Sequence, residues 1–102
     1  MKKISSRLVP QMHALPEYRG WQFSYEYPGL FHYSHPDSPF SIFFTPDYVG
    51  NGTLPISVQD SEGRYYDEHS SLHPLPRTGR SAQKIFSLVR PTLDKLLNIT
   101  NP

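Results

Sequence analysis

The chain has 102 residues, a formal net charge of +1 and no cysteine. This length supplies one hydrophobic core but not two, which predicts a single domain over residues 1–102. The lack of cysteine excludes a disulfide framework, thiolate catalysis and metal sites built from cysteine. Hydrophobic residues make up only 36% of the chain, but 14% of all residues are aromatic, and these large side chains provide enough burial for a folded domain despite eleven prolines.

Charge is distributed unevenly along the sequence. Residues 1–19 and 69–102 are basic, whereas residues 20–68 hold a single Arg against seven Asp and Glu. Either the basic ends lie alongside the acidic middle, or they converge into one patch for phosphates or an acidic partner. The charged start has no apolar segment after it, and no apolar run is long enough to cross a bilayer. We therefore expect no signal peptide, no membrane span and a cytoplasmic location.

Residues 1–18 are the least informative part of the chain, because Pro10 and Pro16 limit a helix there to one turn at most. From 20 to 68, apolar and polar residues alternate between turn residues, which predicts an antiparallel meander of four or five strands. One face of the first strand holds four aromatic residues: Trp21, Phe23, Tyr25 and Tyr27.

The turn after this strand sets the pairing of the first hairpin. A two-residue turn would place the aromatic residues of the two strands on opposite faces. A three-residue turn at 28–30 pairs Tyr27 with Phe31 and Tyr25 with Tyr33, and this pairing is favoured because it keeps the aromatic rings together.

Three further strands are predicted. The third contains Phe40, Ile42 and Phe44. The fourth contains Pro55, which removes a backbone donor, and this strand should therefore lie at a sheet edge or pair on one side only. The fifth runs over 64–68. Residues 69–80 are expected to form an extended, proline-containing loop.

A helix is predicted over 81–98, with Ser81 as its N-cap. Seven apolar residues form a single stripe on it: Ala82, Ile85, Phe86, Val89, Leu93, Leu96 and Leu97. Pro91 lies on the opposite side, where it bends the helix; the alternative is a break at Arg90 and a second short helix. The predicted fold is α+β, with this helix packed on one face of the sheet.

The segment that leads into the helix is a candidate anion site. Helix-start amides, guanidinium groups and hydroxyls together suit a phosphate or another oxyanion. The residues that would bind it are Arg77, Thr78, Arg80, Ser81 and Lys84. The alternative is ordinary helix capping beside solvated arginines, since the glycine spacing of a phosphate-binding loop is missing.

The aromatic face also has two interpretations. It could stack the bases of single-stranded nucleic acid, but the apolar stripe of the helix needs a partner surface and the same strands are acidic, which favours a core. Aromatic residues left exposed would then contact another protein; the candidates are Phe43, Tyr48 and Tyr65.

The five histidines have no spacing that implies convergence on a metal, so neither a metal nor a cofactor is predicted. No local pattern supports acid–base or nucleophilic catalysis, and no enzymatic activity is expected. The sequence favours a small binding or adaptor domain whose partner is another protein or a second copy of the chain. The alternative is a protein that binds single-stranded nucleic acid or a phosphate ligand through residues 77–84.

Overall fold

The structure, a computed structural model, describes residues 4–26, 29–45, 53–74 and 81–100, with side chains from residue 8 onward in the first range. Two helices and five strands lie in these ranges: α1 (Ile4–His13), β1 (Gln22–Glu26), β2 (Leu30–Ser34), β3 (Ser41–Phe44), β4 (Thr53–Gln59), β5 (Ser71–Pro74) and α2 (Ala82–Thr100). The strands form one antiparallel sheet in the order β1-β2-β3-β4-β5. The predicted α+β meander is confirmed.

Helix α2 covers one face of the sheet, as its apolar stripe predicts. Ile85, Val89 and Leu93 are fully buried in the same core as Phe31 and Phe44 of the sheet. The Ser81 hydroxyl accepts a hydrogen bond of 3.1 Å from the amide of Lys84, so the predicted N-cap is confirmed. The helix continues through Pro91, which is exposed, and the alternative of two short helices is wrong.

The pairing of the first hairpin differs from the prediction. Phe23 lies opposite Tyr33 and Tyr25 lies opposite Phe31, so the predicted pairing of Tyr25 with Tyr33 is wrong by two residues. Glu26 lies opposite Leu30, so Leu30 belongs to β2 and not to the turn, and the amide of Gly29 donates to the carbonyl of Glu26 at 3.1 Å. A shift of two residues keeps each side chain on its face, and the aromatic rings therefore still share one side.

Strand β4 is not an edge strand, contrary to the expectation from Pro55, because it pairs with both β3 and β5. The carbonyl of Val58 accepts from Tyr66 on the β5 side, and alternation along the strand directs the Pro55 nitrogen toward β3. The last pair between β3 and β4 joins Phe44 and Ile56, so the missing donor lies one residue beyond the end of that ladder.

The fifth strand was predicted over 64–68 and lies instead at Ser71–Pro74, inside the predicted loop 69–80. Residues 64–68 form turns with a single bridge to Gln59, because side chains form hydrogen bonds with the backbone groups of this region. Asp60 accepts from the amides of Glu62 and Arg64, and the Ser70 hydroxyl donates to the carbonyl of Tyr66.

The N-terminal segment forms a full helix, α1, although Pro10 lies inside it. The expectation of one helical turn at most is wrong. Leu8 and Met12 are buried in the core, and this burial offsets the backbone hydrogen bond that Pro10 removes. The amide of Ala14 still donates to the carbonyl of Pro10 at 3.1 Å, which extends the helical pattern past the proline.

Candidate functional site

The second face of the sheet carries no helix among the described residues, and rows of cross-strand partners define it. The row at one end is polar: Gln22, Ser34, Ser41 and Gln59. The middle row is mixed: Ser24, His32, Phe43 and Ser57. The row at the other end is mostly apolar: Glu26 and Leu30 on one side, Pro55 and Leu72 on the other. We call this surface the open face.

The centre of the open face is a stacked pair of rings. The imidazole of His32 and the ring of Phe43 lie on adjacent strands, with centroids 4.3 Å apart and planes inclined by 10°. His32 Nδ1 shares a hydrogen bond of 2.9 Å with Ser24 Oγ. Burial lowers the pKa of His32 below its ordinary value, while the Glu26 carboxylate opposes this shift. The ring therefore favours its neutral form, in which stacking on an apolar partner costs little desolvation.

Apolar residues extend from this pair toward the end of the sheet. A groove of about 200 Å³ lies beside them; its lining includes Leu30, Phe43 and Pro55, together with Gln59 and its bridge partner Tyr65 in the polar row. Tyr65 is 65% exposed, and Leu72, opposite Pro55, is 61% exposed. Large apolar side chains exposed together on one surface are typical of contact sites for other proteins.

The open face carries little charge. Among the described residues that the strand register places on it, Glu26 alone is formally charged. The Arg64 guanidinium, next in sequence to Tyr65, is held by carboxylates of Asp60 at 3.1 Å and Glu62 at 3.3 Å. Binding to a phosphate backbone depends on Lys and Arg that neutralise it, so this surface is poorly suited to nucleic acid.

Two of the three predicted contact residues, Phe43 and Tyr65, lie on the open face, and Tyr48 lies outside the described residues. Leu30, Pro55 and Leu72 were not predicted as contact residues. Leu30 was missed because it was assigned to the first turn and not to a strand. Leu72 was missed because the Pro-containing segment 69–80 was not expected to pair with β4.

The predicted anion site is only partly within the described residues. Arg77, Thr78 and Arg80 lie outside them. The Ser81 hydroxyl is engaged in capping α2, and Lys84 is exposed in the first turn of that helix. Capping accounts for the geometry that these two residues show.

The described ranges hold no group of three or more His, Asp or Glu residues that could bind a metal ion. Both ring nitrogens of His35 have partners, since Nδ1 accepts from the amide of Asp37 and Nε2 bonds to the carbonyl of Arg19. Neither α1 nor α2 combines the length and the hydropathy that are needed to cross a bilayer.

Comparison with known proteins gives no assignment by similarity. No protein-family model, no curated protein and no solved structure matches this chain.

Proposed function

We propose that this α+β domain is a non-enzymatic binding domain that acts through the open face, and that its partner is a second copy of the chain. The observation that carries this proposal is that the stacked pair of His32 and Phe43 shares one face of the sheet, on the side opposite α2, with the exposed Tyr65 and Leu72. Such a combination of aromatic and aliphatic side chains suits a protein contact.

A second copy fits the chemical character of this surface. The open face offers one carboxylate and no Lys or Arg among the described residues, so it has little charge with which to attract a strongly charged partner. Its apolar row lies at one end, from Leu30 to Leu72. Two copies related by a two-fold axis would each cover the apolar row of the other.

Sedimentation velocity from about 5 μM to about 500 μM tests this proposal, because a dimer with a dissociation constant of about 100 μM, or about −5.5 kcal/mol, is detected in that range. We expect Leu72→Ser to weaken dimerisation at least fivefold. Ile99→Ser is the matched control, since Ile99 is also a large exposed apolar residue, at 40%, but lies on α2. A monomer at every concentration, or equal effects of the two variants, would contradict the proposal.

The alternative function, binding of single-stranded nucleic acid or a phosphate ligand at residues 77–84, stays a prediction, as does the cytoplasmic location. Fluorescence anisotropy with a labelled oligonucleotide at two salt concentrations distinguishes it from the proposal. Nucleic-acid binding would weaken steeply with salt, whereas dimerisation through a nearly uncharged surface would not.

A further inference from the structure

A second candidate site lies on the helix side of the sheet, near the segment that joins α1 to β1. It is a cavity of about 200 Å³. Six of its lining residues carry aromatic rings: His13, Tyr18, Trp21, Phe23, Tyr33 and Phe86. This cavity is separate from the open face, and neither the fold nor the proposed function requires it.

The rings around the cavity are inclined to one another. The rings of Tyr18 and Phe86 have centroids 5.3 Å apart and planes at 77°, and those of Tyr33 and Phe86 are 6.1 Å apart at 59°. The rings of Phe23 and Tyr33 are inclined by 60°. These rings therefore contact one another edge to face or at a tilt, and together they form one wall of the cavity.

The electrostatic character of the lining favours a cation. Aromatic faces carry the negative part of a quadrupole and attract cations within about 6 Å. Glu17 is the one lining residue with a carboxylate, the imidazole of His13 is the one basic group, and no Lys or Arg lines the cavity. The nearby Arg19 guanidinium is bound to Asp94 Oδ1 at 2.8 Å, and this ion pair offsets its charge.

The lining also indicates what kind of cation fits. A metal ion or a primary ammonium group needs several hydrogen-bonding or coordinating oxygens to replace its water, and Glu17 supplies the one carboxylate of this lining. A quaternary ammonium group has a full positive charge, an apolar surface and no hydrogen-bond donor. It loses little on leaving water and gains from the ring faces and from Glu17.

The walls are held in place without a ligand. The hydroxyl of Tyr18 donates to Asp94 Oδ1 at 2.7 Å, and the amide of Trp21 donates to the carbonyl of Tyr18 at 2.9 Å. The amide of Leu15 donates to the carbonyl of Met12 at 3.2 Å, which fixes the start of the same segment. A site that is already formed loses less entropy when it binds.

We propose that this cavity binds a quaternary ammonium group, such as the trimethylammonium of a choline-like small molecule or of a trimethylated lysine. The test is a fluorescence titration of the full chain, because its single tryptophan, Trp21, lines the cavity. The probes are choline, its neutral carbon analogue 3,3-dimethylbutanol, and a short peptide that contains trimethyllysine. Ionic strength is kept constant with sodium chloride.

We expect choline to bind at least fivefold more tightly than 3,3-dimethylbutanol. Tighter binding of the peptide than of choline would identify a methylated protein as the source of the group, and equal or weaker binding of the peptide would identify a small molecule. Equal affinities for choline and its neutral analogue, or no response to any of the three probes, would overturn the proposal.

Two carboxylate variants give a matched comparison. Glu17→Gln removes the charge beside the cavity, and we expect it to weaken choline binding at least threefold. Asp67→Asn removes an exposed carboxylate that lies outside the lining, and it should leave choline binding unchanged. Equal effects of the two variants would overturn the role of Glu17. Failure of dimerisation leaves this test unaffected, because the two surfaces lie on opposite sides of the sheet.

Discussion

The hydroxyl of Tyr18 donates a hydrogen bond of 2.7 Å to Asp94 Oδ1, across 76 positions of sequence. The same oxygen accepts from the guanidinium of Arg19 at 2.8 Å. One carboxylate thus fastens the segment between α1 and β1 to the middle of α2. It also holds the ring of Tyr18 against Phe86, and the position of the aromatic cavity wall depends on it.

Replacement of Asp94 tests this connection. Asp94→Ala leaves Tyr18 and Arg19 without their shared acceptor, and we expect a lower thermal unfolding midpoint together with a changed emission spectrum of Trp21. Asp67→Ala is the control, because Asp67 is an exposed carboxylate whose side chain makes no hydrogen bond within the described residues. Indistinguishable midpoints for the two variants would show that the connection does not contribute to stability.

The turn before β1 gives a second prediction. Arg19 and Gly20 both have positive φ, 52° and 90°, and a Cβ at Gly20 would lie 2.6 Å from His35 Nε2. Gly20→Ala therefore adds a steric clash to backbone strain. Gly63→Ala provides a comparison, since Gly63 has φ 82° and open space around it. Strain alone costs about 1–2 kcal/mol, and we expect Gly20→Ala to exceed this in urea denaturation.

His35→Ala isolates the steric part of that cost. In this background the Cβ of Gly20→Ala has no imidazole to meet, and its penalty should fall to that of Gly63→Ala. Equal penalties at the two glycines in the presence of His35 would rule out the clash.

The meander and the helix could be predicted because each depends on a local pattern. Alternation in 20–26 and the stripe from Ile85 to Leu96 identify the faces that become buried, whatever the exact register. The register itself depends on where the turn begins, and the observed pairing of Tyr25 with Phe31 instead of Tyr33 preserves every face. Sequence patterns therefore fixed the sides of the strands but not their partners.

The failed predictions share a physical cause, which is that tertiary contacts outweigh the local effect of a proline. Pro10 is tolerated because Leu8 and Met12 are buried in the core. Pro55 is tolerated because the hydrogen-bond ladder between β3 and β4 ends at Ile56, one residue away. The open face was predicted only through Phe43 and Tyr65, because the pairing that brings Leu72 beside Pro55 involves a segment expected to be a loop. The aromatic cavity depends on Tyr18 meeting Phe86, a contact that no local pattern indicates.

Pro91 leads to a third prediction. It lies at an exposed position inside α2, where it cannot donate to the carbonyl of Ser87 four residues earlier. A proline inside a helix costs about 3 kcal/mol relative to alanine, whereas its restriction of the unfolded chain returns about 0.4–1 kcal/mol. We expect Pro91→Ala to raise the free energy of unfolding by about 2 kcal/mol in urea denaturation.

The control for this variant is Gln83→Ala, an exposed residue of the same helix whose replacement should change stability by less than about 0.5 kcal/mol. If Pro91→Ala is no more stable than the wild type, the helix gains nothing from the restored hydrogen bond.

The last prediction concerns acid sensitivity at the open face. Burial lowers the pKa of His32, so the unfolded chain binds a proton at this residue more readily than the folded chain does. Unfolding then takes up a proton between the lowered pKa and the ordinary value of about 6.5, and the free energy of unfolding falls as the pH drops through that interval.

His32→Gln removes this contribution, and its stability should fall less than that of the wild type between about pH 7.5 and pH 5 in urea denaturation. The other four histidines are present in both proteins, so the difference between the two curves isolates His32. Ser24→Ala removes the hydrogen bond at Nδ1 but leaves the ring buried against Phe43, and it should keep the pH dependence of the wild type. Parallel curves for the wild type and His32→Gln would show that burial of this ring does not disfavour its protonation.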